Sequence, residues 1–275
     1  MNQYERPPEQ SELEFFDTST EEQDRLWNMV SQIELMVRAR SNVYQSHLET
    51  QLDRDLTDAD RSSFANLIKQ RNGDISTPRT INEIIAEYDL SKYQFAQLVD
   101  NKRVLDIGSG RSNFASQIAA RKSNTEVVSV DINERALRED PNPRAVANAE
   151  FLPFRSGEFD TAIATWSLPF WANSPREVRR SFVEIKRVVR KGGHILFTPV
   201  TGIFYRPARK DSPSKISIGG ISVDGDPKVT YMVLQNQLRF LELLKESRSR
   251  GELEVILKSE AQSGSPKSAI LKKLK

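Results

Sequence analysis

The chain has 275 residues, enough for one large domain or a domain with a smaller appendage, and its 40 basic and 38 acidic side chains leave a formal charge of +2. That balance gives no global electrostatic argument for a nucleic-acid or membrane partner, although local patches keep nucleic acid open. Cysteine is absent and the only histidines are His47 and His194, which excludes disulfides, thiolate metal sites and a cysteine nucleophile and leaves a histidine-rich metal site without ligands.

Residues 1–18 carry Pro7, Pro8 and many acidic or amide side chains, a composition that buries too little surface to order itself and is expected to form a disordered tail. It lacks the apolar run of a signal peptide. No other stretch approaches the roughly 20 apolar residues a membrane span needs, so the default expectation is a cytoplasmic protein. A helical extension is expected over 19–79. Ser19-Thr20-Glu21-Glu22-Gln23 reads as a helix start, with Leu26, Val30, Ile33 and Val37 on one stripe. A second helix is expected from Leu48, Leu52 and Leu56, and Thr57 caps a third, with Phe64, Leu67 and Ile68 inward and Asn72-Gly73 as its stop. Two shorter helices are predicted over 81–88, with Ile84 and Ile85, and over 92–99, with Phe95 and Leu98.

From Lys102 the periodicity changes. Short apolar runs at 103–107, 126–130, 159–164 and 194–199 alternate with amphipathic stretches, the signature of βαβ units and a parallel sheet. The helix predicted over 175–190 carries Val178, Phe182, Ile185 and Val189 on one side, and Lys191-Gly192-Gly193 is expected to terminate it. His194 comes next and opens a buried strand, which favours a structural role over a catalytic one. The 202–228 stretch, rich in Gly, Pro, Ser and Lys, is expected to be a loop insertion. A helix over 229–248 and two strands, 252–259 and 268–274, then form a terminal hairpin about Ser263-Gly264-Ser265-Pro266.

The chemistry concentrates in Val104-Leu105-Asp106-Ile107-Gly108-Ser109-Gly110. A glycine turn after a buried strand lets a nucleotide approach the backbone, and the following helix offers unpaired amides. Asp131 ends the next strand roughly 20 residues on, where a carboxylate can accept both ribose hydroxyls. The dinucleotide fingerprint would place a third glycine where Asn113 stands. A nicotinamide or flavin enzyme therefore stays open as the second reading of the cofactor.

With these segments in order, residues 80–275 resemble the class I S-adenosylmethionine-dependent methyltransferases, most closely their small-molecule and quinone-type branch. The resemblance rests further on Asn148-Ala149-Glu150-Phe151-Leu152-Pro153-Phe154, on Phe159-Asp160-Thr161-Ala162-Ile163-Ala164-Thr165-Trp166-Ser167-Leu168, and on the run from Glu184 through Lys191-Gly192-Gly193. It implies an α/β fold of Rossmann-like methyltransferase type: a mainly parallel twisted sheet with a C-terminal antiparallel hairpin and the N-terminal helical extension alongside. It implies S-adenosyl-L-methionine as cofactor, bound by Asp106, Gly108, Ser109, Gly110, Asp131, Ile132, Asn148, Ala149 and Thr165 beyond the carboxyl ends of the strands, with Asn148 in the place of the family's usual aspartate. Trp166 and Ser167 are the candidate substrate-facing residues, with Phe170 and Trp171 weaker ones.

The family's nucleic-acid amino-methylating members carry Asn/Asp-Pro-Pro-aromatic directly after the fourth strand. Here Thr165-Trp166-Ser167 stands there, and Ser167-Leu168-Pro169-Phe170 comes about two residues late. Many relatives have a histidine pair after the leucine of that loop. Pro169 and Phe170 take its place, which removes a histidine general base at that position; methyl transfer requires early base catalysis only when the acceptor must lose a proton early. The expected activity is methyl transfer to an O, N or C acceptor, on a small molecule by preference. The alternatives are a catalytically silent cofactor-binding protein acting through partners and an NAD(P)-dependent oxidoreductase. Arg206, Arg209, Lys210 and Lys215 hint weakly at an anionic substrate. No catalytic residue, acceptor identity or oligomeric state can be deduced from the residues.

Overall fold

The computed structural model describes residues 20–64, 80–111, 113–121, 124–137, 143–170, 172–200, 203–205, 215–218, 221–224, 227–259 and 266–275. Helix α1 (Thr20–Leu52) runs unbroken for 33 residues, where the sequence pattern suggests two helices. No glycine or proline lies in it, so nothing interrupts the ladder. Its inner stripe is Trp27, Val30, Ile33, Val37 and Leu48. The side chain of Leu26 and the residues Leu67, Ile68, Asn72 and Gly73 lie outside the described set, as do residues 1–18. A second helix, α2, covers 58–64. Thr57 caps it through Oγ1, which accepts the Asp60 N–H at 3.3 Å, while the Asp60 carboxylate accepts the Thr57 N–H at 2.9 Å.

Helices α3 (Ile81–Glu87) and α4 (Lys92–Val99) start with reciprocal capping boxes, Thr80 with Glu83 and Ser91 with Gln94. They lead into β1 (Arg103–Ile107), α5 (Phe114–Ala119), β2 (Glu126–Asp131), α6 (Glu134–Leu137), β3 (Arg144–Val146), β4 (Phe159–Thr165), α7 (Pro175–Val188) and β5 (Val189–Thr198). Three short strands come next, β6 (Ile203–Tyr205), β7 (Lys215–Ile218) and β8 (Ile221–Asp224), then α8 (Pro227–Ser249), β9 (Leu253–Ser259) and β10 (Pro266–Lys273). Strands β6 to β8 pair as a small antiparallel sheet, so the 202–228 stretch, expected as a loop, contains strand pairing. Strand β3 escapes the periodicity because three residues carry no usable pattern.

The main sheet has the order β3-β2-β1-β4-β5-β10-β9. Strands β1 to β5 are parallel, and β10 adds antiparallel to β5 with β9 outside it. Because β2 and β4 leave β1 on opposite sides, their connections diverge above the carboxyl ends of β1 and β4, where α/β sheets open a crevice.

Alternation along the strands divides the core in two. Leu105, Ile107, Ala162, Ala164, Ile195 and Phe197 face α1, α7 and α8. Val104, Val127, Ile163, Leu196 and Ile270 face α3, α4 and α5. On the first face Phe182, Phe197 and Phe240 form a mutual aromatic triangle, with centroids 4.9 to 6.1 Å apart. Helix α1 lies antiparallel to α8, tied by Asp24 to Arg248, Glu34 to Lys245 and Ser41 to Gln235.

The Lys191-Gly192-Gly193 segment does not end α7, which stops at Val188. It forms an irregularity within β5, between Val189 opposite Phe159 and His194 opposite Thr161. Gly192 has φ +76°, and a Cβ on Gly193 would fall 2.6 Å from the Asp160 carbonyl oxygen. Both positions require glycine for reasons within the sheet.

Candidate cofactor site

The turn after β1 is built by backbone geometry. Gly108 and Gly110 have φ +66° and +56°, and the amides of Gly108 and Ser109 both donate to the Val130 carbonyl, at 2.8 and 3.1 Å. Asp131 fastens the turn: one carboxylate oxygen accepts the Gly110 N–H and the other the Asn133 N–H, each at 2.8 Å. Each of those oxygens retains a second acceptor position, so the anchoring is compatible with receiving a vicinal diol. Ser109 Oγ is buried with no hydrogen-bond partner among the described residues. A hydroxyl left in that state is costly unless a ligand completes it. Asp106 is buried at the end of β1, 4% exposed, on the sheet face that also carries Thr165 and Thr198.

The turn after β4 leans on this loop. A Cβ built on Gly108 would come within 2.4 Å of the Ser167 Cβ, and Ser167 Oγ donates to the Ile107 carbonyl at 2.9 Å. Ser167, expected to face substrate, therefore has its hydroxyl hydrogen on the backbone of β1. Trp166 has φ +56° and packs partly buried against the main core. Its N–H donates to the Thr198 carbonyl at 2.6 Å. Phe170 is 1% exposed within the core, which contradicts a substrate-facing role for it. Trp171 and the 206–210 side chains lie outside the described residues, as does the side chain of Lys215.

Beyond β2 and β3 the surface turns apolar. Ile132, Val146 and Phe151 are exposed at 68%, 56% and 68%, an unusual concentration of uncovered apolar side chains about one loop cluster. Asn148 stands beside them with Ala149 partly buried. Its amide oxygen accepts the Glu150 N–H at 2.9 Å and its carbonyl the Phe151 N–H, also at 2.9 Å. That side chain shapes the turn, and its oxygen retains one further acceptor position.

His194 is remote from this constellation. It pairs with Thr161 in register, four residues before Thr198, hence roughly 13 Å down the strand. Burial, then the charges of Lys102, Lys272 and Arg190, push its imidazole down to about 4, so it is neutral at physiological pH and structural. On α7, Arg180, Lys186 and Arg187 are paired with Glu150, Glu252 and Glu184, as befits a solvated helix face; Arg190, at the start of β5, pairs with Asp160.

Two residues shape the site without any sequence motif. Tyr88, fully buried, reaches Thr165 Oγ1 at 3.2 Å and the Leu196 carbonyl at 3.3 Å. Asn236, also fully buried, donates to the Ala172 carbonyl at 2.6 Å and so ties the segment after β4 to α8. A polar residue within an apolar stripe is the one signal that could have marked Asn236; Tyr88 carries none.

Residues 105–197 match the family model described as a methyltransferase domain. Among curated proteins, the chain is similar to a malonyl-[acyl-carrier protein] O-methyltransferase of Geobacter sulfurreducens, 30% identical over 146 residues, which are 50% of this chain and 53% of that protein. It is also 35% identical over 102 residues to an uncharacterized protein of Mycobacterium tuberculosis, covering 34% of this chain and 35% of that one. The chain thus spans about half, or less, of the length of the curated relatives it matches. A solved S-adenosylmethionine-dependent methyltransferase of Methanosarcina mazei is 20% identical over 67% of this chain and 98% of its own, with a TM-score of 0.44. No helix among the described residues is long and apolar enough to cross a membrane. The family match spans the glycine turn, Asp131, the turn after β4 and β5, the same segments that converge at the divide between β1 and β4: residues 105–197 match as a methyltransferase domain.

Proposed function

We propose that this chain transfers a methyl group from S-adenosylmethionine to an O, N or C acceptor on a small molecule. When bound, the sulfonium supplies an activated methyl group, and the protein's task is to hold acceptor and methyl carbon in line. In this reading the Gly108–Gly110 turn and Asp106 receive the methionine portion, Asp131 accepts the ribose hydroxyls, and Ile132, Asn148 and Ala149 surround the adenine. Thr165 and Trp166 border the place of transfer. The observation that carries the reading is the Asp131 carboxylate, which fixes the Gly110 amide while keeping one acceptor position on each oxygen. The unpartnered Ser109 hydroxyl in the same turn supports it.

The ion pairs of Arg180, Lys186 and Arg187 along α7 favour a small molecule over a nucleic acid, since they engage three of the basic side chains of that helix within the fold. No histidine base is available at the turn after β4, which favours acceptors that need little deprotonation, such as a carboxylate oxygen. The test is transfer of labelled methyl groups into fractionated cell extract, small molecules and nucleic acids kept as separate fractions, with products resolved by mass and malonyl-[acyl-carrier protein] included because a relative is named for it. Labelled low-molecular-weight product supports the reading. Label confined to nucleic acid, or no transfer alongside intact cofactor binding, overturns it.

A further inference from the structure

The carboxyl ends of β4 and β5 are gripped from one place, the end of α3, which precedes the matched family segment. The Tyr88 hydroxyl carries one proton, donated to the Leu196 carbonyl at 3.3 Å, so Thr165 Oγ1 donates to Tyr88 at 3.2 Å. Next to it, Thr198 Oγ1 donates to the Glu87 carbonyl at 3.3 Å, and Ser268 Oγ donates to the Tyr88 carbonyl at 3.4 Å. One short segment of chain is thereby bonded to β4, β5 and β10.

The grip reaches the glycine turn through the residues just after Thr165. Thr165 and Thr198 are partners in register, and Trp166, the next residue, sits in the left-handed region with its N–H on Thr198. Side chains other than glycine hold that conformation only where surrounding structure over-determines it. Ser167, one residue on, fills the space above Gly108. A slip of Thr165 or Thr198 would therefore displace the wall of the glycine turn.

We propose that Tyr88 is a positioning residue for the turn after β4: its hydroxyl joins Thr165 to β5 and so fixes Trp166 and Ser167 against the glycine turn. This rests on the assignment of the glycine turn to S-adenosylmethionine. The ring fills the core on the α3 side of the sheet, while the hydroxyl sets the register of the turn, so Tyr88→Phe separates the two roles.

The experiment uses the full chain with Trp27→Phe and Trp171→Phe, which leaves Trp166 as the sole tryptophan of the three. In this background Tyr88→Phe is expected to shift Trp166 emission and raise its accessibility to a quencher, at a temperature where circular dichroism is native. S-adenosylhomocysteine affinity should fall about three- to tenfold, the equivalent of one net hydrogen bond. Thr165→Val removes the same bond from its other end and should reproduce both effects, with little added in the double variant; it also carries the test should Tyr88→Phe fail to fold. Unchanged Trp166 emission and unchanged affinity, with only a lowered Tm, would make Tyr88 a core residue and overturn the proposal. Absence of S-adenosylhomocysteine binding by the unsubstituted chain would instead strike the cofactor assignment, and Trp166 emission would still judge the positioning role.

Discussion

Asp131→Ala removes two things at once, and their sizes can be worked separately. The carboxylate accepts the amides of Gly110 and Asn133 at 2.8 Å each, so its loss releases the Gly110 end of the turn, while the Gly108 and Ser109 amides stay on the Val130 carbonyl. Hydrogen bonds to a charged acceptor are worth about 1.5–3 kcal/mol each. Asp131 is half-buried, which places the cost to the turn at the lower end of that range. Losing the ribose contacts costs a further 1–3 kcal/mol or so, about a 5- to 150-fold rise in the Kd for S-adenosylhomocysteine. Titration calorimetry measures the ribose part, with whatever affinity the loosened turn also loses, and the cost to the turn itself is read as a lowered urea midpoint. The ribose part is isolated by comparing adenosine with 2′-deoxyadenosine: removing the hydroxyl should weaken binding to the unsubstituted chain and have almost no effect in Asp131→Ala. Unchanged affinity for S-adenosylhomocysteine, or an equal deoxy penalty in both proteins, would refute the assignment of Asp131 to the ribose.

Two further predictions concern stability. His194 is held neutral in the fold down to about pH 4 against an ordinary value of 6.5, so between those values the unfolded chain binds the extra proton and stability falls as pH falls. The loss attributable to His194 reaches about 2 kcal/mol at pH 5. Urea unfolding at pH 7.5 and pH 5 should show His194→Gln losing that much less than the unsubstituted chain, and equal losses would contradict the burial argument. Gly193→Ala places a methyl group 2.6 Å from the Asp160 carbonyl oxygen; it should cost about 1–3 kcal/mol, read as a lowered urea midpoint, and an unchanged midpoint would show that β5 yields there without strain.

The parallel strands are legible in the sequence because their apolar runs are short and bounded. The observed β1, β2 and β4 coincide within a residue with the expected runs 103–107, 126–130 and 159–164. Where the fold departs from the sequence pattern, a competing local rule explains it. Gly192-Gly193 looks like a helix terminator, yet the close approach of Asp160 puts it inside β5. Leu48, Leu52 and Leu56 suggest a separate helix because the apolar stripe meets Ser41 between Val37 and Leu48, but without glycine or proline α1 simply continues, its buried stripe bridged there by Ser41. At the site, Gly108, Gly110 and Asp131 do converge, since a strand, a tight turn and a strand-end acid are local features. The Tyr88 and Asn236 contacts are not legible: they join residues 77 and 64 positions apart in the chain, and no motif encodes a hydroxyl or amide that meets its partner only after the sheet has assembled. Phe170 misleads for the converse reason, because an aromatic residue in the turn after β4 reads the same in sequence whether it faces a ligand or the core.

The central claim, that the divide between β1 and β4 receives S-adenosylmethionine, is tested most directly by calorimetric titration of the purified full chain with S-adenosylmethionine, S-adenosylhomocysteine and NAD in turn. Saturable, near one-to-one binding of the first two with no heat from NAD is the predicted result. Binding of NAD without binding of either sulfur ligand would contradict it.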